Sequence, residues 1–191
     1  MTTKKVDKNL NLYVLAGGPT CGKTSLINEL RSRGYAVLDE CAREVIDEGK
    51  LVPKTYEFQM EIFRRQVERE NNAKPYTFAD RCVVEGIAYC RKNLNYVPLE
   101  LGNFDYSKRY SLVFLLDRLP FENDGKRLEK DDSEALDTHN MIVDIYLERN
   151  YPLIQVPLFK CGSKEESIRK RADFVLEEVK KYSGGKNGRY A

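Results

Sequence analysis

Between Gly17 and Thr24 the chain reads Gly17-Gly18-Pro19-Thr20-Cys21-Gly22-Lys23-Thr24, which fits G-x-x-x-x-G-K-[ST]. A continuous apolar run, Leu12 to Ala16, comes immediately before it, the pattern of a strand buried on both faces. From Lys23 onward Leu26, Ile27 and Leu30 recur at helical spacing, and Gly34 falls where a helix C-cap glycine belongs. Strand, glycine loop and helix in that order make a phosphate cradle. The glycines let the backbone curl so that N–H groups point inward, and the helix N-terminus adds roughly half a positive charge there. Lys23 is expected to neutralise the β and γ phosphates of ATP, and the Thr24 hydroxyl to hold Mg²⁺. The nucleotide-binding set is therefore Gly17, Gly18, Pro19, Thr20, Cys21, Gly22, Lys23, Thr24 and Ser25, with Cys21 contributing its backbone rather than thiol chemistry.

Beyond the loop, strands alternate with helices. Tyr35–Leu38, Tyr76–Ala79, Tyr110–Leu116 and Leu153–Val156 read as strands. Helical patterns cover Ala42 to Gly49, Thr55 to about Asn71, a stretch burying Leu136, Val143 and Leu147, and a last helix opened by the capping box Ser163-Lys-Glu-Glu166. The last helix is expected to bury Ile168, Ala172, Val175, Leu176 and Val179. This alternation predicts an α/β fold with a parallel sheet covered on both faces. One domain is expected over residues 1–182, with a charged segment at about 119–132 too polar to bury itself and suited to a mobile lid, and a flexible tail at 183–191.

The chain has 191 residues, 32 basic and 30 acidic, so its net charge of +2 supplies no field that would draw nucleic acid or an anionic membrane. No stretch is apolar for long enough to span a bilayer, and no signal peptide is evident, which predicts a cytoplasmic protein. Five scattered cysteines, none in a Cys-x-x-Cys pair, point to reduced thiols rather than disulfides or zinc. His139, the one histidine, falls on a polar part of a helix and is expected at the surface without a role.

Three expected strand ends carry acid: Asp39-Glu40, Asp80 and Asp117. Ligands of an open parallel sheet gather outside those ends. Asp80 suits a Walker-B-like position beside Mg²⁺, and Glu40 or Asp39 suits a base that takes the proton of an attacking hydroxyl. Asp117 reads as structural. Arg81 offers a planar fork to an anionic acceptor or to the transferring phosphoryl, and a structural ion pair is its other reading. Lys126, Arg127 and Lys130 would bring positive charge from the lid. Tyr96, Phe104, Tyr106 and Tyr110 have the character either of a stacking surface or of packing against the domain.

With these residues in place, the chain resembles the AAA-type P-loop family that includes the ribosylnicotinamide kinase domain of the NadR regulator, and more distantly the deoxynucleoside kinases. The resemblance rests on four blocks in order: GGPTCGKTSLINELRSRGYAVLDECAREVI, FADRCVVEGIAYCRKNL, VFLLDRLPFENDGKRLE, and the helix leading into YPLIQVP. It implies a three-layer P-loop NTPase fold with strand order 2-3-1-4-5. It favours Glu40 as the acceptor-side carboxylate with Asp39 second, and Arg127 as the lid arginine. In the family's Asp-Arg pattern Asp80-Arg81 is kept, Cys82 replaces a small residue, and Glu85 stands at the later acid. The expected activity is ATP-dependent phosphoryl transfer to a small hydroxyl-bearing acceptor, with a nucleoside or nucleoside-like metabolite as the first candidate. The other class is an ATP- or GTP-dependent switch acting on a protein partner. No Asn-Lys-x-Asp guanine signature is present, and the sequence leaves the oligomeric state open.

Overall fold

The computed structural model describes residues 11–121 and 129–187. Its centre is β1, Leu12–Ala16, with all five residues buried. It pairs in parallel with β3, Thr77–Asp80, on one side and β4, Leu112–Leu116, on the other. The edges are β2, Val37–Leu38, against β3, and β5, Leu153–Val156, against β4. The resulting order is β2-β3-β1-β4-β5, as the resemblance implies.

Alternation along β1 explains the three layers, since successive side chains of a strand point to opposite faces. Tyr13 and Leu15 join a core with Leu26, Ile27 and Leu30 of α1, Lys23–Ser32, and with Ala172 and Val175 of α7, Lys164–Asn187. Leu12, Val14 and Ala16 face the other core. That core takes Ile87, Ala88 and Cys90 from α4, Gly86–Leu94, and Ile142, Ile145 and Tyr146 from α6, Asp132–Glu148. Helix α3, Tyr56–Asn71, packs beside α4, with the short α2, Cys41–Asp47, against it and a four-residue α5, Leu99–Gly102, closing the rim. Each fully buried Leu or Ile in these layers contributes about 1.5–3 kcal/mol.

Helix starts follow their caps. The Thr55 hydroxyl accepts from the Phe58 N–H, Asp131 accepts from the Glu134 N–H at 2.9 Å, and Ser163 accepts from the Glu166 N–H at 3.1 Å. The structure also differs from the sequence reading. Helix α6 turns Ala135, Thr138, Ile142, Ile145 and Tyr146 inward, while Leu136 and Leu147 are exposed. The inward face includes a polar position because Thr138 is needed there: its hydroxyl accepts from Lys92 Nζ at 2.7 Å. Helix α4 adds an element that the apolar pattern alone leaves unassigned. Helix α7 runs through Asn187, past the boundary expected at 182. Glu129, at the C-terminal root of the charged segment, is buried, because Lys92 offers it an ammonium at 3.6 Å. Tyr106 and Tyr110 pack inside the domain, whereas Tyr96 is exposed.

Candidate active site

The phosphate loop is built as β1 leaves the sheet. Gly17 and Gly22 take positive φ of 131° and 79°, which their lack of a Cβ allows, and Thr20 is also left-handed at 62°. Gly22 opens α1, so the loop lies at that helix's N-terminus. Lys23 starts α1 and is almost fully buried; its ammonium donates to the Gly17 and Gly18 carbonyls, each at 2.7 Å. The charge that phosphates would meet is thus already folded over the loop.

Thr24 and Asp80 come together from 56 residues apart. The register that pairs Leu15 with Asp80 brings the carboxylate to the end of β3 beside the loop, and Thr24 Oγ1 donates to Asp80 Oδ2 at 3.0 Å. Asp80 is 2% exposed, and its Oδ1 is buried without a partner among the described residues. Burial pushes the carboxyl above its usual range, the Lys23 ammonium pulls it back, and Glu40 pushes it up again. A hydroxyl next to a buried carboxylate with one unused oxygen suits a small, hard divalent cation such as Mg²⁺, which takes few protein ligands and completes its shell with phosphate and water. Among the described residues no group of three or more His, Cys, Asp or Glu side chains gathers as a fuller metal cage.

Directly after Asp80 the backbone of Arg81 is left-handed, at φ 69°. Such strain in a non-glycine residue persists only where its surroundings hold it. It turns the guanidinium toward Glu40, 3.2 Å away, and over the Tyr89 ring, 4.8 Å from the centroid. Glu40 stands at the N-cap of α2, just before its first residue, but makes no side-chain cap bond, so the carboxylate serves the cleft rather than the helix. Asp39 goes elsewhere: it takes both oxygens to Arg31 at 2.6 Å, and is exposed.

Glu40 and Arg81 line a cavity of about 110 Å³ whose walls include Phe58, Ile62 and Phe63, with Glu85 and Glu129 as further acids and Pro19 joining it to the phosphate loop. Glu85 is fully buried; its Oε1 accepts from the Tyr146 hydroxyl at 2.8 Å and its Oε2 has no partner among the described residues. Burial pushes it up to about 7, against the pull of Arg81 and Lys23. On the loop's other flank, a second cleft of about 490 Å³ runs from Gly22 and Ser25 to Leu119 and the stretch Leu158 to Lys164.

Two residues around the loop escape a reading of the sequence. Arg171 of α7, 3% exposed, donates to the carbonyls of Cys21 at 2.7 Å, Asp117 at 2.8 Å and Pro157 at 3.1 Å. Its one signal is a cation inside the apolar stripe Ile168, Ala172, Val175. The other is His139, expected at the surface. It is half-buried against the loop, and its Nδ1 accepts the Gly18 N–H at 3.2 Å. The reason is steric: Gly18 has no side chain, so the α6 backbone approaches until an added Cβ would lie 2.8 Å from His139 Cβ. Asp117 accepts from the Gln155 amide and from the Leu158 N–H, bracing β5's exit. Lys130 is described and exposed, while Lys126 and Arg127 lie outside the described residues.

Among solved structures, the chain is similar to the NadR protein in complex with NR, with TM-score 0.67 and 16% identity over 92% of this chain and 52% of that one. It is similar to deoxyadenosine kinase from M. mycoides, with TM-score 0.58 and 12% identity over 89% and 98%. A third likeness is thymidylate kinase from Ehrlichia chaffeensis, TM-score 0.56 and 12% identity over 90% and 99%. The chain spans about half the length of the NadR chain that it matches. No curated protein matches it by sequence. Sheet order, phosphate loop and these likenesses make the fold that of a P-loop NTPase. The profile of the AAA domain family matches residues 12–166, from β1 through the phosphate loop and both cleft walls into α7, and the chain belongs to that family.

Proposed function

We propose that the protein transfers the γ-phosphoryl group of ATP to a hydroxyl of a small, unphosphorylated, nucleoside-like acceptor. The observation that carries this reading is the Glu40–Arg81 pair, set on the wall of a part-apolar cavity that meets the phosphate loop at Pro19. In the reaction the acceptor oxygen attacks the γ phosphorus, its proton passes to Glu40, and the bond to the β–γ bridging oxygen breaks to release ADP. Arg81 holds Glu40 in place. Lys23 exchanges the Gly17 and Gly18 carbonyls for phosphate oxygens and offsets the charge that develops on the leaving group. Thr24 and Asp80 would hold Mg²⁺, which when bound shields the phosphate charge. Arg127 is proposed to add positive charge from the charged segment. The nucleoside part of ATP has room in the cleft beside Gly22 and Ser25.

Charge supports an acceptor without a phosphate of its own. Three carboxylates, Glu40, Glu85 and Glu129, line the cavity with two guanidiniums, Arg43 and Arg81, and Arg81 is paired with Glu40. A phosphate there would meet more acidic than basic side chains. Similarity to a deoxyadenosine kinase agrees with this class, and similarity to a thymidylate kinase names its competitor.

The test is ADP release from Mg-ATP across a panel of nucleosides, nucleoside monophosphates and pyridine ribosides, with Lys23→Ala as the blank. Stimulation by an unphosphorylated compound is expected, and Glu40→Gln should lower that turnover by at least about a hundredfold while ATP affinity changes little. Stimulation by monophosphates alone overturns the acceptor class. ATP binding with no stimulation by any compound would shift the reading to a nucleotide switch.

A further inference from the structure

The geometry points to His139 as a positioning residue for the phosphate loop: its unprotonated Nδ1 fixes the Gly18 peptide and thereby the curl that aims the loop's remaining N–H groups at phosphate. A backbone N–H can only donate, so the 3.2 Å contact from Gly18 N–H requires a bare Nδ1, with the ring proton on Nε2. The contact is enforced from both sides. Gly18 alone permits the approach, since any side chain there would collide with the Cα, Cβ and N of His139. The Cys21 thiol also lies 3.5 Å from Nδ1, so the imidazole packs against both ends of the turn from Gly18 to Cys21. Helix α6 is anchored independently, through Thr138 to Lys92 and through Tyr146 to Glu85, which lets it act as a rigid support for the loop.

Protonation removes this acceptor and sets an N–H against an N–H. Charged and titratable groups face the ring from each neighbouring element. Lys23 of α1 and Arg118 after β4 oppose protonation, Asp117 favours it, and the Cys21 thiol is itself kept protonated by burial. Burial, with Arg118 and Lys23, holds the imidazole below its ordinary value near 6.5. The bond is therefore complete at neutral pH and is lost only as the pH falls through a value lower than that of an ordinary imidazole.

Two readouts test this. In the protein without nucleotide, the Gly18 amide proton observed by NMR should titrate together with the His139 ring, whatever reaction the protein catalyses. ATP affinity in the wild type should fall from its level at pH 7.5 as the ring takes up its proton, by roughly tenfold once it is protonated, the scale of one buried donor left unsatisfied. His139→Asn, whose Oδ1 can take the place of Nδ1 but cannot titrate there, should bind ATP nearly as the wild type does at pH 7.5 and lose this part of the pH dependence. His139→Leu should bind about tenfold more weakly at every pH. A Gly18 amide that does not follow the ring, or a His139→Asn protein that keeps the wild-type pH profile, overturns the role. Absence of ATP binding at all pH values would instead count against the nucleotide site itself, and the NMR titration would then decide the contact independently.

Discussion

At the scale of single residues, the acidic side chains near the phosphate loop behave differently because their surroundings differ. Asp39, exposed and forked by Arg31, is an ordinary surface ion pair. Such a pair stabilises by at most about 1 kcal/mol. Glu85 is the opposite case, fully buried with one oxygen unpartnered and its carboxyl pushed up to about 7. A carboxyl raised in the folded state keeps a proton that the unfolded chain releases near pH 4.5. Its contribution to stability is therefore whole below that pH and shrinks as pH rises toward 7. The size of that loss is about 3 kcal/mol across the window. Glu85→Gln keeps the Tyr146 contact and cannot ionise, so its advantage over the wild type should grow by about that amount between roughly pH 4.5 and 8. Urea unfolding of both proteins at several pH values checks this, and parallel curves would show that Glu85 does not carry the proton. Neither Glu85's burial nor the His139 contact is legible from the chain: both depend on backbones that close over a polar group from positions far apart in sequence.

Between elements, Glu70 of α3 is the main polar joint. Its Oε1 accepts from the Gln66 amide at 3.1 Å and the Val83 N–H at 2.8 Å; its Oε2 accepts from Arg109 Nε at 2.5 Å and the Tyr110 hydroxyl at 3.0 Å. Helix α3, the turn after Asp80 and the lead-in to β4 are thereby locked together behind the cavity. Arg109 is only 5% exposed, so Glu70→Ala strands a buried cation and should cost about 3–5 kcal/mol. Glu70→Leu with Arg109→Met should cost clearly less than the sum of the two single changes, and additive losses in urea unfolding would refute the coupling. The strands around this joint are readable because Leu12–Ala16 and Leu112–Leu116 are unbroken apolar runs, as only doubly covered strands are. Glu70 and Arg109 are not, since a charge 39 residues from its partner looks like any solvated charge. The rotation of helix α6 is hidden for a related reason. Leu136 and Leu147 suggest an inward face, but Thr138 and His139 have bonds to make toward the domain and they set the helix's rotation.

Over the whole molecule, Arg171 connects stability with ligand binding. From α7 it holds the carbonyls of the phosphate loop, of Asp117 after β4 and of Pro157 after β5, so that a helix late in the chain braces a loop near its start. Arg171→Met keeps much of the aliphatic packing and leaves three carbonyls without their donor, a loss of roughly 3 kcal/mol at about 1 kcal/mol each. Cys21 is one of the three, so the loop should also hold ATP less firmly. Binding adds RT ln(1 + [L]/Kd) to the unfolding free energy, about 2.7 kcal/mol when ATP is at a hundred times the wild-type Kd. If the variant binds tenfold more weakly, the same concentration adds only about 1.4 kcal/mol. The Glu70→Ala protein provides the contrast, because its joint lies behind the acceptor cavity and it should lose stability yet keep the full ATP increment. Urea unfolding of the three proteins with and without Mg-ATP separates the cases. An undiminished increment in Arg171→Met would mean that the arginine holds the fold together without shaping the phosphate loop. A diminished one in Glu70→Ala would mean that nucleotide affinity follows overall stability rather than the particular carbonyls that Arg171 anchors.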